Sequence, residues 1–127
     1  MKLEVGQFVR FKDKRNITYI RKIREIPQDN RYASIYLDKE ANYSKGLSLK
    51  NIIKASYNII DILEKGDYIN GLQVNKIVDG KPIHEDYNDP FYSFGWENDD
   101  IKTVITHEQM EQMSYEVVEK NKIIWYN

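Results

Sequence analysis

The chain has 127 residues, of which 41% are hydrophobic and 31% charged, a composition typical of one ordinary globular domain or two very small ones. No apolar run approaches the ~20 residues of a membrane span, and the N-terminus lacks the apolar core of a signal peptide. The chain has no cysteine, which excludes disulfides and thiol chemistry. We therefore expect a cytoplasmic protein.

The first half of the chain predicts three strands, one short helix and a fourth strand. The third strand alternates, so that Ala33, Ile35 and Leu37 point inward. Ser48 is a candidate N-cap for the helix. The predicted elements are strands at Val5–Phe11, Thr18–Ile23 and 32–38, the helix at Leu49–Lys54, and a strand at Ser56–Leu63.

The second half predicts the same order of elements. Asn70-Gly71 favours a type I′ turn between the first two strands. Thr106 and Gln109 have the spacing of a capping box at a helix start. The predicted strands are Asp67–Ile69, Leu72–Val78, Phe91–Glu97 with Tyr92, Phe94 and Trp96 inward, Tyr115–Glu119 and Ile123–Tyr126.

Two octets sixty residues apart suggest an internal duplication: LEVGQFVR from Leu3 and LEKGDYIN from Leu63. Further matches follow in the same order at offsets of 54 to 60. Each copy resembles an SH3-like barrel. We therefore predict a mainly β protein, a tandem duplication of a β-β-β-α-β module with one short helix each. The modules are 1–60, basic, and 61–127, acidic. The connection 60–65 lacks Gly, Pro and Ser, so we expect them to pack rigidly.

The net charge of −1 conceals a sharp division of charge along the chain. Residues 1–60 hold 13 basic and 6 acidic side chains, a net charge of +7, whereas residues 61–127 hold 6 basic and 14 acidic ones, a net charge of −8. Such asymmetry is typical of proteins that bind charged partners. It equally allows the halves to meet each other, within one molecule or between the subunits of a homo-oligomer.

The basic half is a candidate surface for nucleic acid or an acidic partner, since Lys and Arg displace counterions from phosphates. Four tyrosines lie among these charges and could stack on unpaired bases. The alternative is that the basic face is solvated or meets the acidic half. The candidate residues are Arg10, Lys12, Lys14, Arg15, Arg21, Lys22 and Arg24.

The acidic half contains a candidate protein-binding segment, residues 84–100. Its carboxylates would engage a basic groove that normally holds nucleic acid, and its aromatic side chains would anchor the contact. The alternative is that the aromatic residues belong to the core. The candidate residues are Glu85, Asp86, Tyr87, Asp89, Phe91, Glu97, Asp99 and Asp100.

Catalytic and cofactor motifs are missing from the sequence. It has no P-loop, Rossmann glycines, His-Glu-x-x-His or Gly-x-Ser-x-Gly motif. His84, Glu85, Asp86 and Asp89 could hold a hard cation, but they lack the spacing of a calcium loop. We therefore expect no enzymatic activity, no cofactor and no metal.

Two segments, IIKASYNIIDILEKGDYINGLQV and VITHEQMEQMSYEV, resemble small proteins encoded by phages and prophages of Gram-positive bacteria. The resemblance implies an accessory product that binds and blocks a host component, and anti-CRISPR proteins are one group of this kind. A host nuclease or effector complex is therefore an expected partner, and if a phage encodes the protein, the host cytoplasm is its expected location. The runner-up expectation is a nucleic-acid-binding module that uses the basic half.

Overall fold

The computed structural model describes residues 2–28, 34–38, 47–86 and 93–113. Strands make up 44% of these residues and helices 18%. The strands form three antiparallel sheets, and the described residues contain one α-helix. The prediction of a mainly β protein is therefore confirmed.

The first half folds into one five-stranded sheet. Strands β1 and β2 form a hairpin in which Phe8 pairs with Lys22 and Lys12 with Thr18, closed by a turn over residues 13–17. The strand order is β4-β3-β2-β1-β5. The strands are β1 (Phe8–Lys12), β2 (Thr18–Glu25), β3 (Ser34–Leu37), β4 (Leu47–Ser48) and β5 (Ile52–Ser56).

The second half forms two three-stranded sheets, with orders β10-β9-β8 and β11-β6-β7. The predicted turn between β6 and β7 is confirmed: Asn70 and Gly71 both have positive φ, 50° and 86°. The elements are β6 (Tyr68–Ile69), β7 (Leu72–Gln73), β8 (Lys76–Val78), β9 (Lys81–Glu85), β10 (Ser93–Gly95), β11 (Val104–Ile105) and α1 (His107–Met113).

The two repeated octets fold into the same hydrogen-bonded turn. Gly6 and Gly66 both have positive φ, 96° and 100°, which glycine adopts without steric cost. In the first turn, the Gly6 amide donates to Ile23 O and the Ile23 amide to Gln7 O. In the second turn, the Gly66 amide donates to Val74 O and the Val74 amide to Asp67 O.

The side chain that closes each turn is also equivalent. Gln7 Oε1 accepts the amide of Glu4 at 2.8 Å, and Asp67 Oδ2 accepts the amide of Glu64 at 2.8 Å. If β7 and β8 are counted as one interrupted strand, the second half has the order β10-β9-(β8/β7)-β6-β11. This order matches that of the first half.

Two apolar clusters lie on opposite faces of the β1–β2 hairpin. One cluster lies within the first half and contains Val9, Phe11, Ile23, Ile35 and Leu37. The other joins Ile20 of the hairpin to residues of the second half, namely Ile62, Leu63, Ile69, Val74 and Trp96. The inward positions predicted for Ile35 and Leu37 are confirmed, and the hairpin is covered on both faces.

The sequence prediction for residues 49–63 is wrong in two respects. The expected helix is only a 3-10 turn, Leu49–Asn51, and the Ser48 side chain does not cap it. The chain then forms β5, which pairs with β1 along the sheet edge. The expected strand at Ser56–Leu63 is instead replaced by a 3-10 helix, Ile59–Ile62, whose Ile62 side chain enters the shared cluster.

The second half also departs from its prediction. Strand β9 was not predicted, because Pro82 lies within it and proline is usually confined to edge strands. Trp96 is buried as predicted, but Phe94 is 38% exposed and packs edge-on against Trp96. Ala33, Tyr92 and the strands predicted at Tyr115–Glu119 and Ile123–Tyr126 lie outside the described residues.

The two halves contact each other through the shared cluster and through polar contacts described below. A division into rigidly packed modules at residue 61 stays a prediction. Among the described residues, no helix has the length and apolar character needed to cross a membrane.

Candidate functional site

A groove of about 540 Å³ lies where the two halves meet. Its floor, the apolar part of its lining, belongs to the shared cluster or packs against it, and the remaining lining residues are polar. The floor residues are Phe8, Ile20, Ile59, Ile101 and Val104. This volume is within the ~300–1,000 Å³ of typical ligand sites.

The rim of the groove carries cations and carboxylates from both halves. Arg21, Lys22 and Asp38 come from the first half, and Asp99 and Lys102 from the second. Within the described part of the chain, none of these three cations forms an ion pair with a carboxylate. The charged residues that line the groove are thus three cations and two carboxylates.

The rim cations are positioned by contacts with the hairpin and the neighbouring turn. The Lys22 ammonium lies 5.6 Å from the ring centre of Phe8, and the Arg21 guanidinium 5.5 Å from that of Tyr19. Lys102 Nζ donates to the carbonyl of Asp99 at 3.3 Å. The Lys22 and Lys102 ammonium groups are therefore held beside groove residues, whereas the Arg21 guanidinium lies over Tyr19, which packs on the first-half cluster.

The second-half wall of the groove begins with an acidic turn, defined here as residues 97–100. All four residues are exposed, and Asn98–Asp100 form a 3-10 helix. Glu97 and Asp100 cap each other's backbone, and Glu97 also pairs with Lys81. Asp99 is exposed and lines the groove, so its carboxylate is the best placed of the three to contact a partner.

The other predicted acidic residues are distributed differently. Glu85 pairs with Lys76 at 3.4 Å, and its amide donates to Asn75 Oδ1. Asp86 is half-buried at the end of β9. Tyr87, Asp89 and Phe91 lie outside the described residues.

The predicted basic residues divide between the two ends of the β1–β2 hairpin. Lys12, Lys14 and Arg15 are exposed at the turn, where Arg15 pairs with Asp13 and donates to Tyr19 Oη at 2.9 Å. Arg21 and Lys22 lie near the groove end, with Lys22 about 14 Å away for four strand residues at ~3.4 Å each. The Arg24 guanidinium lies 5.9 Å from the Tyr36 ring centre.

Arg10 does not belong to an exposed basic surface, because only 1% of its side chain is accessible. Its guanidinium forms a bidentate pair with Asp67, at 2.6 and 3.1 Å. Its Nε lies 2.7 Å from Glu64, and its Nη1 also donates to the carbonyl of Ile62. Glu108 lies 3.6 Å from its Nη2. The structure therefore removes Arg10 from the predicted phosphate-binding residues.

The surroundings of Arg10 strongly favour its charged form. Burial alone would lower its pKa, but the hydrogen bond to Asp67 and the charges of Asp67, Glu64 and Glu108 outweigh burial and raise the pKa. This cation of the basic half thus meets three carboxylates of the acidic half. The positive charge of Arg10 is therefore paired with carboxylates of the acidic half within one molecule.

Sequence reasoning missed this cluster because the groups that contact Arg10 lie 52 to 98 residues from it in sequence. One local signal existed: Arg10 stands between Val9 and Phe11, so it faces away from the cluster that these two residues enter. The predicted capping box is confirmed, since the Gln109 amide donates to Thr106 Oγ1 at 3.1 Å. This cap places His107 and Glu108 beside Asp67.

Asp67, His107 and Glu108 lie close enough to be considered as cation ligands, with one donor atom from each within 4.8 Å of the others. His107 Nδ1 and Glu108 Oε2 are buried without a hydrogen-bond partner among the described residues. However, each Asp67 oxygen already accepts two hydrogen bonds, from Arg10 and from backbone amides. Arg10 therefore occupies the position that a bound cation would need, and we assign no metal.

Comparison of the chain with protein-family models, with characterised proteins and with solved structures returns no match. The features that bear on function are therefore the groove, the acidic turn and the sequence resemblance of the two segments to small phage proteins.

Proposed function

We propose that this protein is a non-enzymatic binding protein of the phage accessory type, which engages and inhibits a host protein. The observation that carries the proposal is the groove between the halves, with its apolar floor and the acidic turn at its rim. Apolar surface framed by charged side chains is typical of protein interaction sites.

The acidic turn favours a partner whose own surface is basic. Proteins that handle nucleic acid carry such surfaces, and a carboxylate such as that of Asp99 can compete with phosphate for them. A nuclease or effector complex of a host defence system, as for anti-CRISPR proteins, is therefore the class of target that we propose.

We further propose that the two halves are tandem copies of one SH3-like module. The identical turns at Gly6 and Gly66 and the matching strand orders support this. In this interpretation β9 corresponds to β3 and β11 to β5. The sequence pattern alone instead predicts the counterpart of β3 at residues 91–97.

The function is tested by capture from a Gram-positive host lysate with immobilised protein. Asp99→Lys reverses one exposed charge of the acidic turn. Glu25→Lys makes the same charge change at an exposed position of the first half and serves as the control. We expect the wild type and Glu25→Lys to retain a specific host protein that Asp99→Lys loses, most clearly at low salt. Equal capture by all three proteins would contradict the proposed surface.

The second candidate is nucleic-acid binding, favoured by the exposure of Lys12, Lys14 and Arg15 at the hairpin turn. With Arg10 buried, three phosphate contacts should give a slope of log affinity against log salt of roughly −2 to −3. Replacing the three residues with alanine should flatten that slope in a gel-shift titration. No binding even at low salt would eliminate this candidate.

A further inference from the structure

We propose that the groove binds an extended segment of the partner protein that carries an acidic side chain next to an apolar one. This inference deepens the proposed function and rests on it, since it states what occupies the site. Lys22 and Lys102 would pair with the acidic group, and the apolar floor would bury its neighbour.

Charge complementarity supports an acidic occupant. Lys22 and Lys102 are exposed and line the groove, one from each half, and neither has a carboxylate partner in the part of the chain that the structure describes. A partner carboxylate that reached the mouth would pair with cations that remain partly in water. Such pairs chiefly set specificity and orientation.

The floor explains why the acidic group needs an apolar neighbour. Ile59, Ile101 and Val104 are only partly buried, and they flank the shared cluster of the two halves. An aliphatic or aromatic side chain placed on them would remove this surface from water, at ~25 cal/mol per Å² buried. Residues 103–104, including the start of edge strand β11, form one wall, which suits an extended chain.

A peptide fits these observations better than a nucleic acid does. The lining includes Asp38 and Asp99, so a phosphate backbone, with a charge at every nucleotide, would meet carboxylates along its length, whereas a single acidic side chain can contact the lysines alone. The lining has two aromatic residues, Phe8 and Tyr57, but Phe8 lies beneath the Lys22 ammonium and the Tyr57 hydroxyl is hydrogen-bonded to Glu4, and the other apolar lining residues are aliphatic and offer no face for base stacking. A chain that alternates charged and apolar side chains matches both the rim and the floor.

The test is selection of a random 12-residue peptide library, displayed on phage, against the full-length immobilised protein. Enriched peptides are then synthesised with fluorescein and titrated by fluorescence anisotropy. We expect them to carry a carboxylate beside an apolar residue. They should bind Lys22→Glu/Lys102→Glu at least tenfold more weakly than wild type. Lys12→Glu/Lys14→Glu, with the same charge change at the far end of the hairpin, should stay within twofold.

Three results would overturn the inference: no enrichment, enriched peptides without carboxylates, or equal binding by both double variants. A fluorescein-labelled dT12 oligonucleotide that bound more tightly than the peptides, and lost affinity in Lys22→Glu/Lys102→Glu, would make nucleic acid the occupant. Far-UV circular dichroism verifies folding, and Lys22→Met/Lys102→Met separates loss of positive charge from repulsion. If Asp99→Lys still captures the host protein while peptides bind as expected, the role proposed for the acidic turn is wrong, whereas peptide binding in the groove is retained.

Discussion

Replacing Arg10 with methionine tests whether its buried ion pair with Asp67 holds the two halves together. Methionine keeps an apolar stem but removes the charge. It would leave the Asp67 carboxylate wholly buried without its cation, with Glu64 and Glu108 nearby. Breaking a buried pair by removing one partner costs about 3–5 kcal/mol. A domain is stable by only ~5–15 kcal/mol in total, so the loss would be severe.

The assay is urea unfolding followed by tryptophan fluorescence, because Trp96 lies in the cluster shared by the halves. With a slope of roughly 2 kcal/mol per molar urea, Arg10→Met should lower the midpoint by about 2 M. Asp67→Asn should also destabilise the protein, but the double variant should lose less than the sum of the single effects, by ~1–3 kcal/mol.

Arg15→Met is the matched control, since Arg15 is an exposed arginine paired with Asp13 on the same hairpin. Its midpoint should change little, because exposed ion pairs contribute little to stability. Two results would refute the reasoning. Arg10→Met could cost less than about 1 kcal/mol, or the effects of Arg10→Met and Asp67→Asn could simply add.

Three further predictions concern local contacts. Thr106→Ala should lower the free energy of unfolding in urea by about 1–2 kcal/mol, because Thr106 Oγ1 caps α1 and donates to the buried carbonyl of Thr18 at 2.6 Å. Thr106→Ser should retain most of this stability, and equal losses in the two variants would contradict the cap. Gly71→Ala should lower the free energy of unfolding by about 1–2 kcal/mol. The reason is the backbone φ of 86° alone, since no atom outside the adjacent residues lies within 4 Å of the added methyl group. An unchanged urea midpoint would be inconsistent with the turn. The hydrogen bond to Glu4, and after it burial and the charge of Glu4, raise the pKa of the Tyr57 hydroxyl above 10.0. The stability that this hydrogen bond contributes is therefore present below pH 10 and is lost as pH rises through the raised pKa. Absorbance at 295 nm should show a late-titrating phenol that Tyr57→Phe removes and Glu4→Gln shifts back toward 10; identical titrations would refute it.

The features predicted correctly from the sequence are those that local chemistry determines. The Asn70-Gly71 turn follows from the backbone preferences of two adjacent residues. The cap at Thr106 follows from a spacing of three residues. Neither depends on where the rest of the chain lies.

The features that were missed depend on tertiary contacts. Residues 52–56 form a strand because the edge of β1 is available to them, whereas their own sequence suits a short helix equally well. Pro82 is accommodated in β9, where its carbonyl accepts the amide of Trp96, although proline usually argues against a central strand.

The candidate site was only partly predictable for the same reason. The charge division along the chain indicated charged surfaces, and Lys22 and Asp99 do lie on the rim of the groove. The burial of Arg10 could not be predicted, because it requires Asp67, 57 residues away in sequence. The groove itself exists only where the two halves meet.

The central claim, that the acidic turn and groove hold a host protein, is tested most directly by site-specific photo-crosslinking. The photoreactive residue p-benzoylphenylalanine would replace Tyr57, an exposed aromatic residue of the groove lining, in one variant and Lys14, at the far end of the hairpin, in another. After irradiation in a host lysate, we predict that the variant substituted at Tyr57 forms a covalent adduct with one host protein and that the variant substituted at Lys14 does not. Adducts only at Lys14, or adducts with nucleic acid in place of protein, would contradict the account.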